Sequence, residues 1–379
     1  MLSSLLVKPV SWDCNLRCTY CFYLRTEQIY PGRRHLMDDT TLERMIRDYQ
    51  RLAGEVANYG WQGGEPLLAG REFFHRVFVL QEKHRQDGQF IANSVQTNGV
   101  LVDEAWVRLF ARNRCLVGIS LDGPESVHDH YRGKGTHRRV IKAIRLMQQA
   151  GVEFNVLTVI NDRNVRLMAD LYRYLRGLGV RWMQFIPILE PDEKGDAAPF
   201  SVDAAAYGEF MLAVFEEWKK HDAGRISVRM FDSLILHAAG RKGLLCLHDG
   251  SCDAYVVVEH NGDVYPCDFF VRPEWRAGNL NEFPSEENAF ERLLERPAIK
   301  RFREGRPLDE CAGCEYVSIC AGGCQKDRLA RQHGLGGSLS SRSPFCIAYR
   351  MMYPKMLPYF RRLARRLEAQ QAGGVAAQD

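Results

Sequence analysis

An α/β fold built on a parallel sheet, continued by a cysteine-rich second region, is the fold class the sequence predicts. Three observations point to it. Six short runs rich in Val, Ile and aromatic residues alternate with segments of helical period up to about residue 230. The unusual polar residues fall where those runs end. Beyond residue 235 the alternation stops, and eight of the twelve cysteines follow.

The predicted strands, in order, are LLVKPVSW (5–12), VANYGWQ (56–62), FIANSVQT (90–97), LVGISLD (116–122), EFNVLTVI (153–160) and WMQFIPI (182–188). Helices are predicted between them. DDTTLERMIRDYQRL (38–52) carries a capping-box pattern, Thr40 with Glu43 three residues on. REFFHRVFVLQEKHR (71–85) and RRVIKAIRLMQQAG (138–151) show apolar faces, the second with Gly151 as its stop. Units of this kind imply parallel strands joined by right-handed crossovers. Six are too few for a closed eight-stranded barrel, so a doubly wound sheet and an open, partial barrel both remain.

The texture changes after RISVRMFDSLILHAAG (225–240). Gly and Asp punctuate short strands such as AYVVVEHNGDVYPCDF (254–269), and a domain boundary is placed near 235, dividing 1–234 from 235–379. A last amphipathic helix is expected over 347–368 with a frayed tail at 369–379. Arg361, Arg362, Arg365 and Arg366 stand at helical spacing and read as its solvated face.

The chain has 379 residues, 46% of them hydrophobic, enough to bury a substantial core. The net charge of +4, with both signs dispersed, calls for no nucleic-acid partner. The sequence shows no secretory signal and no apolar run of about 18 residues, so no membrane is expected and a cytoplasmic protein is. In a reducing compartment cysteines serve metal binding or redox chemistry more often than disulfides.

Their spacing is therefore informative. Cys14, Cys18 and Cys21 follow the first strand; QGGEP (62–66), QTNG (96–99) and SLDGP (120–124) end the next three. In parallel α/β folds the C-terminal strand ends carry the active site, so these four motifs are expected at one mouth. Cys246, Cys252, Cys267, Cys311, Cys314, Cys320, Cys324 and Cys346 make two tetrahedral sets of four, suiting two zinc sites or two iron–sulfur clusters. The N-terminal triplet favours iron, because three thiolates on a four-iron cluster leave one iron open to bind something.

CNLRCTYC resembles the CxxxCxxC motif of radical S-adenosylmethionine (SAM) enzymes, and GGEP their second motif. GDVYPCD and the CxxCxxxxxCxxxC run resemble a SPASM extension. CNLRCTYCFYL, QGGEP, NSVQTNG, VGISLDGP, VEFNVL, QFIP and VYPCDFFV, in that order, are similar to the anaerobic sulfatase-maturating enzymes across nearly the whole chain. The resemblance implies a partial (β/α)6 TIM-like radical SAM barrel and a C-terminal SPASM domain binding two auxiliary iron–sulfur clusters.

It also implies three [4Fe-4S] clusters and S-adenosyl-L-methionine as cofactors. Cys14, Cys18 and Cys21 would hold the first cluster. Cys246, Cys252, Cys267 and Cys324 would hold one auxiliary cluster, and Cys311, Cys314, Cys320 and Cys346 the other. Cys115 is left over as a buried thiol. Tyr20, Gly64, Glu65, Ser120, Arg132 and Leu189 match cofactor contacts. Gly63 and Gly64 would let the backbone approach the methionine moiety, Glu65 would meet its ammonium and Arg132 its carboxylate. Tyr23, Gln62, Gln96 and Asn98 would face substrate, and His128 and His130 receive no role.

The implied substrate is a cysteine or serine in an unfolded sulfatase segment resembling (C/S)x(P/A)xR, oxidised to formylglycine. Asp268 matches the family's proton acceptor, and its burial beside a cluster is expected to raise its pKa. The second electron would leave through the auxiliary clusters, and a flavodoxin or ferredoxin would supply electrons. Two rivals stay open at this point. One is a SPASM peptide maturase forming a thioether or carbon crosslink, against which stands the short stretch of thirteen residues before Cys14. The other is a non-catalytic cysteine-rich zinc or electron-transfer protein, which leaves GGEP and SLDGP unexplained.

Overall fold

The computed structural model describes residues 2–248, 252–304 and 309–375, with side chains to residue 369. All six predicted strands form: β1 (Leu5–Lys8), β2 (Val56–Trp61), β3 (Phe90–Thr97), β4 (Leu116–Ser120), β5 (Phe154–Ile160) and β6 (Trp182–Pro187). Among the described residues six further strands follow: β7 (Ser227–Val228), β8 (Val256–Glu259), β9 (Asp263–Tyr265), β10 (Gly278–Asn279), and the antiparallel pair β11 (Arg331–Gln332) and β12 (Leu335–Gly336). The helices between the early strands are α1 (Asp39–Leu52), α2 (Arg71–Lys83), α3 (Glu104–Arg112), α4 (Glu125–Arg132), α5 (Thr136–Gln149), α6 (Ala169–Gly177), α7 (Ala204–His221) and α8 (Arg229–Ala238).

The cap of α1 differs from the expected capping box. Asp38, not Thr40, is the N-cap, its Oδ1 accepting from the Thr41 N–H at 2.7 Å. Glu43 points away from the helix start and binds Lys83 and His84. A carboxylate at N-cap competes well with a threonine hydroxyl for the same orphan amides, which moves the start by two residues. Gly151 does end α5, in left-handed conformation at φ +65°.

The chain forms two compact units. The first comprises Met1–Leu121, Glu125–Asn155 and Cys252–Gly305. In it β2 pairs in parallel with β1 and β3, and β3 with β4. On its other edge β1 pairs in parallel with β8, which continues antiparallel through β9 to β10. A strand of the cysteine-rich region thus extends the same sheet, an addition that the sequence pattern does not announce. Alternating burial along β2 and β3 turns Tyr59, Trp61, Val95 and Thr97 inward to the helices. There Tyr49, Tyr59, Trp61, Phe73, Phe74, Trp106 and Phe110 form a continuous run of edge-to-face and stacked rings.

The second unit comprises Asp122–Pro124, Val156–Ser251 and Arg306–Asp379. Here β6 pairs in parallel with β5 and β7. The C-terminal helix, Cys346–Val375, packs its aromatic face on α7 and α8 through Phe360 against Phe215, Trp218 and Phe231. It runs past the expected end at 368 to Val375, through the first part of the expected tail; the rest of that tail, 376–379, lies outside the described residues. Arg361, Arg362, Arg365 and Arg366 are exposed on its outer face, as expected. Among the described residues no helix is long and apolar enough to cross a membrane.

Candidate active site

The register of the first unit's sheet assembles a polar face. Across the parallel strands Lys8 pairs with Glu259, Leu6 with Gly60, Gly60 with Ser94, and Gln96 with Gly118. Because side chains alternate with period two, Lys8, Glu259, Gln62, Gln96 and Ser120 therefore lie on one face at the C-terminal strand ends. Gly118 makes room there: a Cβ would stand 2.1 Å from Gln96 Oε1. The Gln96 amide donates to Ser120 Oγ at 3.1 Å.

Asp268, just after β9, closes this face with 5% exposure. Its Oδ1 stands 2.8 Å from Lys8 Nζ. Its Oδ2 accepts from the Tyr23 hydroxyl at 2.5 Å and from Gln62 Nε2 at 3.2 Å. Gln62 Nε2 also reaches the Tyr23 oxygen at 2.8 Å. Burial and the Asp268 charge hold the Tyr23 phenol well above its ordinary pKa, so it remains a donor. The sequence expectation considered burial of Asp268 alone; the structure adds a fully buried ammonium in contact with it. Lys8 and Glu259 were given no role from the sequence, although a lysine in LLVKPV and a glutamate in VVVEH are charges in otherwise apolar strands.

The cysteine loop leaves β1 through Ser11, Trp12 and Asp13 and meets GGEP directly. The Gly64 N–H donates to Ser11 O and the Glu65 N–H to Asp13 O, both at 2.8 Å. A Cβ on Gly64 would lie 2.0 Å from Asp13 O, and one on Gly63, at φ +115°, would lie 2.6 Å from Ser11 O. The expected reason for these glycines was approach to a cofactor; the contact that excludes a side chain is with the cysteine loop's own backbone.

Glu65 is fully buried and caps the turn at 66–69. Its Oε1 accepts from the Leu67 N–H at 3.0 Å and the Thr97 hydroxyl at 2.8 Å; its Oε2 accepts from the Asn98 N–H at 2.8 Å. Burial pushes its carboxyl up to about 7 against the pull of those bonds. Asn98 in turn donates to Asn15 Oδ1 at 2.8 Å and approaches Cys14 Sγ at 3.6 Å. The triplet, QGGEP and QTNG thus interlock, and Ser120 joins them through Gln96. The rest of SLDGP does other work: in the second unit Asp122 Oδ1 accepts from the Val159 N–H at 3.1 Å and its carbonyl from Asn164 at 3.1 Å.

The triplet's chemistry fits a metal cluster. Burial pushes Cys14 up to about 12 and Cys21 to about 11, with the neighbouring Cys18 adding to the rise at Cys21. Such thiols stay neutral until a cation draws off their protons. Arg132, at the end of α4, lies near Cys21 with its guanidinium 5.5 Å from the Tyr20 ring centre, and Tyr20 packs on Tyr131 at 5.2 Å. Leu189 is fully buried in the second unit, its carbonyl accepting from Lys326 Nζ at 2.6 Å.

Cys311, Cys314, Cys320 and Cys346 all belong to the second unit. Burial raises the thiols of Cys311, Cys320 and Cys346, against the pull of Arg328 and Arg342 at Cys311 and of Arg342 and Arg350 at Cys346. Cys252 and Cys267 lie in the first unit, where Cys267 Sγ stands 3.5 Å from the Tyr255 hydroxyl, and Cys246 and Cys324 lie in the second. Among the described residues no group of three His, Cys, Asp or Glu side chains is already gathered at metal-binding distance. Cys115 is a buried thiol, 2% exposed and pushed by burial up to about 12.

Comparison with known proteins agrees with this arrangement. Residues 10–175 match the Radical SAM superfamily model, and residues 250–315 match SPASM, an iron–sulfur cluster-binding domain. A cysteine-type anaerobic sulfatase-maturating enzyme of Clostridium perfringens is 37% identical over 87% of this chain and 90% of its own. A serine-type enzyme of Bacteroides thetaiotaomicron is 32% identical over 97% of this chain and 92% of its own. The solved structure of native anSMEcpe with bound AdoMet superposes with a TM-score of 0.86 at 33% identity, covering 96% of this chain and 99% of that one. SuiB, at 16% identity and a TM-score of 0.64, shares the fold. The fold is therefore the radical SAM barrel with a SPASM domain, its cofactors are S-adenosylmethionine and iron–sulfur clusters, and neither rival reading is favoured. This chain belongs to the anaerobic sulfatase-maturating enzymes.

Proposed function

We propose that the protein converts a cysteine or serine in an unfolded sulfatase segment resembling (C/S)x(P/A)xR to formylglycine, with Asp268 as the base. The observation that carries this reading is the buried Asp268, held by Lys8, Tyr23 and Gln62 in the unit that also holds the cysteine triplet. When bound at the N-terminal cluster, S-adenosylmethionine would supply a 5′-deoxyadenosyl radical able to remove a hydrogen atom from the substrate β-carbon, and the auxiliary clusters would supply an acceptor for the remaining electron.

The chain's own residues do the rest. Asp268 Oδ2 accepts the thiol or hydroxyl proton, and Tyr23 and Gln62 donate to the same oxygen and keep it aimed. Because both hydrogen-bond Asp268, they serve the base first and substrate second. Gln96 and Asn98 complete the substrate face. Glu65 acts as the strut between GGEP and β3, with one Oε2 lone pair left for the cofactor ammonium. Tyr20, Gly64, Ser120, Arg132 and Leu189 contact the cofactor, Arg132 through its carboxylate.

The cluster ligands are Cys14, Cys18 and Cys21; Cys246, Cys252, Cys267 and Cys324; and Cys311, Cys314, Cys320 and Cys346. The corresponding module division is 1–234 and 235–379. A small redox protein such as flavodoxin or ferredoxin is the electron donor, and the setting is the cytoplasm.

The test is anaerobic incubation of the reconstituted protein with dithionite, S-adenosylmethionine and a peptide carrying CxPxR or SxAxR. Iron content should be about twelve per chain. Mass spectrometry should show serine losing two hydrogens, or cysteine exchanging sulfur for oxygen with the same loss. Asp268→Asn should lower turnover about 100-fold or more, the usual scale for a positioned base. An unchanged peptide alongside abundant 5′-deoxyadenosine, or an Asp268→Asn variant of full activity, would sink the reading.

A further inference from the structure

Lys8 is a fully buried lysine in the last position of β1, and its partner across the parallel pair with β8 is Glu259, also fully buried. Lys8 Nζ stands 2.8 Å from Asp268 Oδ1 and 3.4 Å from Glu259 Oε1, and 4.7 Å from the centre of the Tyr23 ring. The second Glu259 oxygen faces His260 Nδ1 at 3.6 Å. Burial disfavours the ammonium, but the two carboxylates outweigh it and hold Lys8 charged. Burial likewise disfavours the Glu259 carboxylate, and Lys8, with His260 and Ser11, brings its pKa below the ordinary value.

Packing alone does not explain such a group. Three buried charges are costly to desolvate, and apolar residues of similar volume would stabilise the strand pair as well or better. Of the two carboxylates, Asp268 stands nearer the ammonium, and it does so through Oδ1. A carboxylate is free to turn about its last torsion. Here Lys8 fixes Oδ1, and Tyr23 and Gln62 both meet Oδ2.

We propose that Lys8, seated by Glu259, is a positioning residue of the reaction: it clamps Oδ1 of Asp268 so that Oδ2 is the oxygen presented to the substrate's proton. This rests on Asp268 as the base. The step it serves moves one proton from the substrate thiol or hydroxyl to Oδ2; Lys8 keeps its own protons and exchanges none.

The experiment uses the reconstituted full-length protein and counts formylglycine formed per 5′-deoxyadenosine, together with KM, kcat, iron content and the thermal transition. Lys8→Met leaves two carboxylates without their cation, so the double variant Lys8→Met/Glu259→Gln is measured beside it, with Lys8→Arg as the conservative variant. In the double variant, product per 5′-deoxyadenosine should fall about tenfold or more, in kcat rather than KM, while iron content and melting stay near wild type. Lys8→Arg should restore most of the coupling.

Coupling equal to wild type in the double variant overturns the proposal. So does a parallel loss of product, 5′-deoxyadenosine and thermal transition in both Met variants, which makes the pair structural. A wild-type protein that forms no formylglycine removes the underlying reading instead, which is a distinct outcome.

Discussion

Replacing Gly64 by alanine adds one methyl group where the cysteine loop passes. Gly64 does not occupy the left-handed region, so alanine's backbone is permitted and the effect is steric. The new Cβ would lie 2.0 Å from Asp13 O, 2.5 Å from Asp13 C and 2.5 Å from Trp12 C. All three are backbone atoms, so no rotamer change relieves the overlap. The loop must retreat, breaking the Gly64–Ser11 and Glu65–Asp13 hydrogen bonds of 2.8 Å.

Overpacking of this kind costs about 1–3 kcal/mol, and two hydrogen bonds add about 1 kcal/mol each. The expected loss is about 4 kcal/mol, or for a chain of this length a melting point lower by roughly 5 °C. Because Cys14 follows Asp13 directly, iron should fall by about four per chain. Gly177→Ala is the control: at the end of α6, outside the left-handed region and with open space around it, it should cost neither stability nor iron. Differential scanning calorimetry and iron analysis of the two variants check this. A Gly64→Ala protein that melts with wild type and keeps all its iron would refute the steric argument.

Gly118→Ala should act on function more than on stability, because its Cβ would meet movable side-chain ends, Gln96 Oε1 at 2.1 Å and Asn155 Oδ1 at 3.2 Å. We expect a stability loss below about 1 kcal/mol and a peptide KM raised about fivefold as Gln96 leaves Ser120; steady-state kinetics with unchanged KM would remove Gln96 from substrate binding. His248 gives a pH dependence. Burial lowers its imidazole from 6.5 to about 4, with its Nδ1 2.9 Å from Ser233 Oγ and its Nε2 3.3 Å from the Tyr353 hydroxyl. The unfolded chain binds the proton first as pH falls, so this stability is whole above about pH 6.5 and is lost progressively down to about pH 4, by about 3 kcal/mol. Urea titrations of His248→Gln should show a flatter pH profile over that window; an identical profile would place the acid sensitivity in other groups.

Much of the barrel was legible because its strands are half-buried and its helices amphipathic, patterns set by local periodicity. Helix ends were less so: Asp38 and Thr40 are both competent caps, and only the path of Glu43 to Lys83 and His84 decides between them. The glycines of GGEP stood out in the sequence as a close approach to a cofactor, and the structure adds the backbone of the cysteine loop. A close approach is legible in a glycine pair, but the object approached is not.

The sequence by itself determined the order of strands and helices and the family, since these rest on spacing and on side-chain type along the chain. Tertiary structure alone decided that β8 returns to pair with β1, which sets Glu259 beside Lys8 and brings Asp268 to the same face from more than two hundred residues away. No local preference encodes that meeting. A lysine inside an apolar strand announces only that some counter-charge must exist, because burying it unpaired is too costly; which carboxylate answers is a property of the fold.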